Sequence, residues 1–183
     1  MAATLTRTLA GTDDAFRAHS DRVTELALEL AEALDAGEDV NRAIRIGGPL
    51  HDVGKLRISD EILNKPGPLD PRELAEIRAH PVTGAAMVKP VRAYRDGVPC
   101  VLHHHERWDG GGYPDGLAGE EIPLAARIVA VADAWDAMVS DRPYRPALMH
   151  EAALAEVDRC RGTQFDPHVA GALLDLHEQR QTA

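Results

Sequence analysis

The sequence predicts an all-α fold in a single domain, on three observations. Apolar residues recur in steps of three, four and seven through most of the chain, the period of a helix face. No segment shows the alternation of a half-buried strand. The breaks between periodic segments are short and hold Gly, Pro or Asp, so five to seven main helices follow one another closely.

The elements follow in order. Between Thr12 and Leu34, the residues Phe16, Val23, Leu26, Leu30 and Leu34 share a face, with Thr12 or Asp13 as N-cap and Gly37 as the stop. His19, four residues before Val23 and seven before Leu26, lies on that inward face. A second helix is expected over 39–53. It turns Val40, Ile44 and Gly47 or Gly48 inward, kinks at Pro49 and ends at Gly54. Ile58–Asp70, with two prolines and two aspartates, reads as a loop. A third helix starts near Asp70 with Pro71 in its first position and runs through Leu74 and Ile77 to His80. Pro81 opens a further segment through Val82 to Val88, and another helix covers Val98–His105. Glu106–Pro123, holding Gly110, Gly111, Gly112, Gly116 and Gly119, is irregular. Leu124, Ile128, Val131, Trp135 and Met138 then step by four, three, four and three. The last helices are expected at His150–Arg161 and Pro167–Glu178, the second capped by Asp166. The domain is drawn over residues 12–178, between tails 1–11 and 179–183.

Composition excludes several function classes. Twenty Lys and Arg against thirty Asp and Glu leave a net charge of −10 over 183 residues. With 44% apolar residues the chain is not a disordered one. No basic block is present to neutralise a run of phosphates, which argues against long nucleic acid as a partner. No run of about 18 apolar residues exists, so no membrane-spanning helix is expected. The opening stretch lacks the charged-then-apolar order of a signal peptide. Cys100 and Cys160 are too few for a disulfide scaffold and read as small core residues, reduced, in the cytoplasm.

The chemistry lies in the histidines, nine of them against seven Phe, Trp and Tyr. His51-Asp52 alone has two readings: a capping Asp beside an exposed His, or two ligands of an ion that neutralises a costly buried carboxylate. Other positions change the weighing. His19 faces inward on the first helix, His80 ends the third, and His104 and His105 end the fifth. Asp133 sits in the apolar helix AARIVAVADAWDAM. Inward His and Asp on five helices are hard to explain as independent accidents. Converging, they make a site of five imidazoles and two carboxylates, in which Asp52 bridges two ions through its two oxygens. Ions about 3.5–4 Å apart can activate a hydroxide between them and clamp a phosphoryl group. The donor mix suits Fe, Mn, Zn or Ni better than Ca. His103 is expected to be a supporting or surface residue, because adjacent helical residues point about 100° apart.

Five segments carry a resemblance to a known family: HDVGK at 51–55, HHERWDGGGYP at 104–114, RIVAVADAWDAM at 127–138, DRPYRPA at 141–147 and GTQFDP at 162–167. From about Asp13 to Leu176 the chain resembles the HD-GYP domain, a subgroup of the HD metal-dependent phosphohydrolases. The resemblance implies a helical domain that hydrolyses cyclic di-GMP to pGpG, and often on to GMP. It implies metal ligation by His19, His51, Asp52, His80, His104, His105 and Asp133, with Asp52 and Lys55 in the catalytic set. Lys55 would stand near the scissile phosphate, where a cation stabilises developing charge. Arg142 and Arg145, flanking Tyr144, would contact substrate phosphates, with Tyr144 near a base. Gly112, Tyr113 and Pro114 would border the substrate site and offer a contact for diguanylate cyclase domains. Glu106 and Asp109 are expected to fix the loop. One departure matters: Ala15 stands where some members carry a Glu that helps hold a third metal. Two divalent ions are therefore expected, Fe or Mn favoured, with Zn, Ni and Mg open.

Two alternatives stay open at this level. One is a module that binds a cyclic dinucleotide or docks a cyclase with little turnover. The other is a phosphodiesterase for another cyclic dinucleotide, such as cyclic GMP-AMP. A homodimer is compatible with either. The net charge permits a small anionic dinucleotide, since it describes the surface, whereas metal ions and placed cations set the potential of a pocket.

Overall fold

A computed structural model describes residues 14–141 and 146–182. Among them the chain forms helices α1 (Asp14–Ala33), α2 (Glu38–Gly47), α3 (Asp60–Leu63), α4 (Pro71–Arg78), α5 (His80–Val88), α6 (Val98–His103), α7 (Leu124–Val139), α8 (His150–Arg159) and α9 (Pro167–Thr182). No strand occurs among the described residues, and the all-α expectation holds. No helix among them is long and apolar enough to cross a membrane. The N-cap expected at Thr12 or Asp13 lies outside the described residues, as does the side chain of Ala15.

Two apolar clusters hold the helices together. In the larger, α1 contributes Val23, Ala27, Leu30 and Ala31, one face at steps of four, three and one. It packs against Ile128, Val129, Val131 and Ala132 of α7, with Val157 of α8 and Leu173 of α9 closing the far side. The smaller cluster is Leu50, Val53, Ala85, Val88 and Val101, from the 48–57 segment, α5 and α6. α6 belongs to both, since Cys100 packs into the larger cluster and Val101 into the smaller. The seam between the clusters is where the predicted ligands meet.

Several boundaries differ from expectation for physical reasons. The second helix does not run to Val53. It ends at Gly47, and two 3₁₀ turns follow, Gly48–Leu50 and Val53–Arg57. Pro49 has no N–H to continue the α-ladder, so the chain tightens rather than bends. His51 and Asp52 consequently project from a turn. Gly54 is no terminator: it lies inside the second 3₁₀ turn, buried. A Cβ there would overlap the His80 carbonyl oxygen and come within 2.7 Å of Gly84 N, so the glycine lets the turn rest on the α5 backbone. Gly47 does the same against Gly97, as expected of a small residue at a helix crossing.

The expected loop at 58–70 contains the short α3. Residues 71–88 split into α4 and α5 as the prolines suggest, and Asp70 and Glu73 form a capping box at Pro71. α6 ends at His103, two residues early. α9 continues to Thr182, past Glu178, and Asp166 caps it by accepting from His168 N at 2.8 Å.

Candidate metal centre

The seven predicted ligands converge. Their donor atoms fall into two groups, Asp52–His80–His104–His105 and His19–His51–Asp133, each within 4.8 Å among themselves. Asp52 joins the two through its separate oxygens. Oδ1 lies 3.1 Å from His80 Nε2 and 3.7 Å from His104 Nε2. Oδ2 lies 3.5 Å from His51 Nε2 and 4.0 Å from His19 Nε2. This is the disposition of a carboxylate able to bridge two cations.

The backbone sets the imidazole tautomers. His51 Nδ1 donates to Gly48 O at 2.7 Å, His80 Nδ1 to Ile77 O at 2.7 Å, and His104 Nδ1 to Cys100 O at 3.1 Å. A carbonyl can only accept, so each proton sits on Nδ1 and each Nε2 turns a lone pair inward. Two consequences favour a cation. His80 Nε2 and His104 Nε2 face each other at 3.3 Å, lone pair toward lone pair. His51 Nε2 and Asp52 Oδ1 are buried with no hydrogen-bond partner. Orphaned buried acceptors of this kind are expensive, and divalent ions supply what they lack. The residues therefore fit the metal centre that the sequence implies.

His19 is oriented by a residue the sequence reading leaves unassigned. Its Nδ1 pairs with Asp136 Oδ2 at 2.7 Å while Nε2 points to Asp133 Oδ1 at 3.4 Å. Asp136 is held in turn by Arg22 Nε at 2.6 Å. Burial opposes charge on His19, but the bonds from Asp133 and Asp136 outweigh it and push its pKa up to about 9. The same negative potential attracts a cation. Burial also opposes ionisation of Asp136, yet His19 and Arg22 hold its carboxyl well below the usual range. The available signal was spacing, since Asp136 is one helical turn beyond Asp133. Asp136→Asn is expected to weaken divalent-metal affinity about 10–100-fold, the range for losing the partner that orients a ligating His. Metal titration by calorimetry checks this, and unchanged affinity would remove the orienting role.

His105 is kept neutral. Burial, with His104 beside it, pushes its pKa down to about 2. The Tyr113 ring stacks on it at 4.9 Å between centroids, and Tyr113 N donates to His105 O at 3.2 Å. Gly112 serves this fold-back: a Cβ on it would press on the Arg107 N–H and lie 2.5 Å from Glu106 Cα. The close approach that glycine allows is thus to the chain's own backbone. Pro114 follows through a cis peptide. Arg78, unforeseen, stands 5.5 Å from the Tyr113 ring centre. Glu106 accepts from Asp115 N and Gly116 N, and Asp109 accepts from Gly111 N and Arg107, so both fix the loop as expected.

Lys55 Nζ donates to Asp52 Oδ2 at 2.5 Å, placing its ammonium at the edge of the centre. Arg142, Tyr144 and Arg145 lie outside the described residues. A cavity of about 620 Å³ opens beside His104, His105 and Asp133, with Tyr113, Gln164 and Phe165 in its walls. That is the size of a small-molecule site. A groove of similar volume, about 610 Å³, between α1 and α9 gathers no comparable donor set.

Comparison with known proteins decides the family. The family model described as HD domain matches residues 3–169. This chain belongs to the HD domain family. The resemblance to the HD-GYP domain, a subgroup of that family, stands. The chain is 44% identical over 172 residues to the cyclic di-GMP phosphodiesterase response regulator RpfG of Xanthomonas campestris pv. campestris, covering 93% of this chain and 46% of that protein. It is 36% identical over 160 residues to the 3'3'-cGAMP-specific phosphodiesterase 2 of Vibrio cholerae, covering 86% and 31%. Its fold matches Bd1817 of Bdellovibrio bacteriovorus, a HDG"Y"P protein, with a TM-score of 0.72, 21% identity and coverage of 92% and 54%. The HD domain chain thus spans less than half the length of these two curated relatives.

Proposed function

We propose that this HD domain is a metal-dependent phosphodiesterase that hydrolyses cyclic di-GMP to pGpG, with GMP as the alternative end product. The observation that carries the reading is the division of seven donors into two groups that share Asp52. The centre fits two divalent ions, Fe or Mn favoured by its imidazole-rich donor set, with Zn, Ni and Mg open. When bound, such a pair supplies Lewis acidity and positive charge for activating water and neutralising a phosphoryl group.

The chain's own residues do the rest. Asp52 holds the two groups in register, and the Nδ1–H bonds to backbone carbonyls keep the Nε2 lone pairs on target. Lys55, one-third exposed at the edge of the centre, is placed to turn its ammonium to a phosphate oxygen of the substrate. Arg142 and Arg145 are assigned the flanking phosphates and Tyr144 a base. The cavity beside His105 and Tyr113 accommodates the nucleotide, with the GYP loop, Gly112, Tyr113 and Pro114, as one border. The outer side of that loop is the proposed contact for diguanylate cyclase domains. Cys100 and Cys160, both free and buried, suit a reducing compartment, and we place the reaction in the cytoplasm.

Two measurements test the reading. Protein loaded with Mn or Fe is expected to convert cyclic di-GMP to pGpG, followed by chromatography, and chelation is expected to stop turnover and lower the melting temperature together. No turnover with any metal, with cyclic di-GMP bound equally well by His51→Ala, would leave a binding module instead. The similarity to a cGAMP-specific relative favours one second reading, cyclic GMP-AMP as substrate. Relative kcat/KM values on the two cyclic dinucleotides separate them.

A further inference from the structure

We infer that His103, Glu106 and Asp115 form a separate divalent-cation site that clasps the GYP loop to the end of α6. None of the three belongs to the seven-residue centre. His103 closes α6, Glu106 follows three residues later, and Asp115 comes directly after Pro114. His103 Nδ1 lies 3.7 Å from Asp115 Oδ2 and 3.9 Å from Glu106 Oε1, and one donor atom from each residue falls within 4.8 Å of the others. These separations are too long for hydrogen bonds. They are close to those of atoms sharing an ion: bonds of about 2.0–2.2 Å put neighbouring ligands roughly 3–3.6 Å apart. The two pairs that include His103 need a closure of a few tenths of an ångström, and the Glu106–Asp115 pair closes from within 4.8 Å.

Independent observations also point to a ligand. His103 Nδ1 and Glu106 Oε2 are both buried without any hydrogen-bond partner. The Glu106 residue is only 3% exposed. Its Oε1 accepts two backbone N–H groups, from Asp115 and Gly116, but neither carboxylate forms an ion pair with Lys or Arg among the described residues. A buried carboxylate beside a second one, with an imidazole nitrogen left over, lacks a positive charge. One imidazole and two carboxylates suit Mn, Fe or Zn, whereas Ca takes an all-oxygen shell. An ion here ties the loop to the helix end that carries His104 and His105. It thereby holds Tyr113, stacked on His105, in place.

The test uses Mn²⁺ alone as probe, on the full chain and on Asp115→Asn and His103→Ala. Equilibrium dialysis is expected to give one Mn²⁺ more per chain for the parent than for either variant. Crystals soaked in Mn²⁺ are expected to show an anomalous peak bonded to the three residues, with the peaks at the seven-residue centre unchanged in the variants. Mn²⁺ is also expected to slow amide exchange over residues 106–119 in the parent and not in Asp115→Asn, a dependence that a purely structural side chain does not produce. Equal Mn²⁺ content in all three chains, or a parent crystal with peaks at the seven-residue centre and none at these residues, overturns the site. Glu106→Gln adds a check where it folds; Asp115, over half exposed at its side chain, gives the variant least exposed to folding failure.

Discussion

Asp52→Ala is expected to empty both halves of the metal centre at once. No other ligand has this property, because only Asp52 presents one oxygen to His80 and His104 and the other to His51 and His19. Replacing His105 removes one donor from one group. Replacing Asp52 removes the shared donor and the negative charge at the middle of the cluster. Metal analysis is expected to show loss of both ions from this centre. Turnover of cyclic di-GMP is expected to fall by at least about 10³-fold, equivalent to roughly 4 kcal/mol of transition-state stabilisation. The chain also loses a buried anion whose carboxyl, in spite of burial, is held well below its usual range, with the Lys55 ammonium bonded to it. Breaking a buried charged network costs about 3–5 kcal/mol, so a lower melting temperature is expected even after chelation. A variant that keeps two ions and more than a tenth of the activity would show that Asp52 is not the bridge.

Gly54→Ala is the second large effect, and it acts through shape. The added methyl meets backbone, the His80 carbonyl and Gly84 N, which cannot rotate away as a side chain can. Overpacking in a tight interior costs about 1–3 kcal/mol and more where nothing can yield. Taking about 3 kcal/mol, a chain of this length loses roughly 6–12 °C in melting temperature. The strain falls on His80, which must move for α5 to retreat, so metal affinity of the His80–His104–His105 group is expected to drop as well. Gly111→Ala is the matched control. Its methyl would meet the Asp109 carboxylate at 3.1 Å, the end of a side chain held by Gly111 N and Arg107 that need give only a few tenths of an ångström. Near-parent stability there, with a large loss for Gly54→Ala, separates backbone contact from generic loss of glycine. Equal behaviour of the two variants would sink the account.

The helices were legible because their cause is local. Val23 and Leu30 on α1, or Ile128, Val131 and Trp135 on α7, repeat at the helical period whatever surrounds them. The proposed ligands are legible for a related reason: His19 and Asp133 are polar groups set on apolar faces, a conflict that burial makes costly and that a bound metal would resolve. The role of Asp136 is not legible in the sequence because its partners, His19 and Arg22, are 117 and 114 residues away, and the gap between those positions carries no period. The role of Gly54 is hidden in the sequence for the same reason. A glycine that ends a helix and one that admits a neighbouring backbone look identical in sequence, and α5 lies 26 residues on.

The amino-acid order is enough to establish an all-α chain and a resemblance whose family the comparisons bear out, and it names the seven residues proposed as the centre. Packing settled what those residues do to one another. The meeting of the two apolar clusters put His19 and Asp133 beside the His51-Asp52 turn, and so sorted seven donors into two groups about one carboxylate. It also folded the GYP loop onto His105 and left His103, Glu106 and Asp115 facing one another. Periodicity sets which way a side chain faces along its own helix; the distance between side chains on different helices depends on crossing geometry, which arises only when the clusters close.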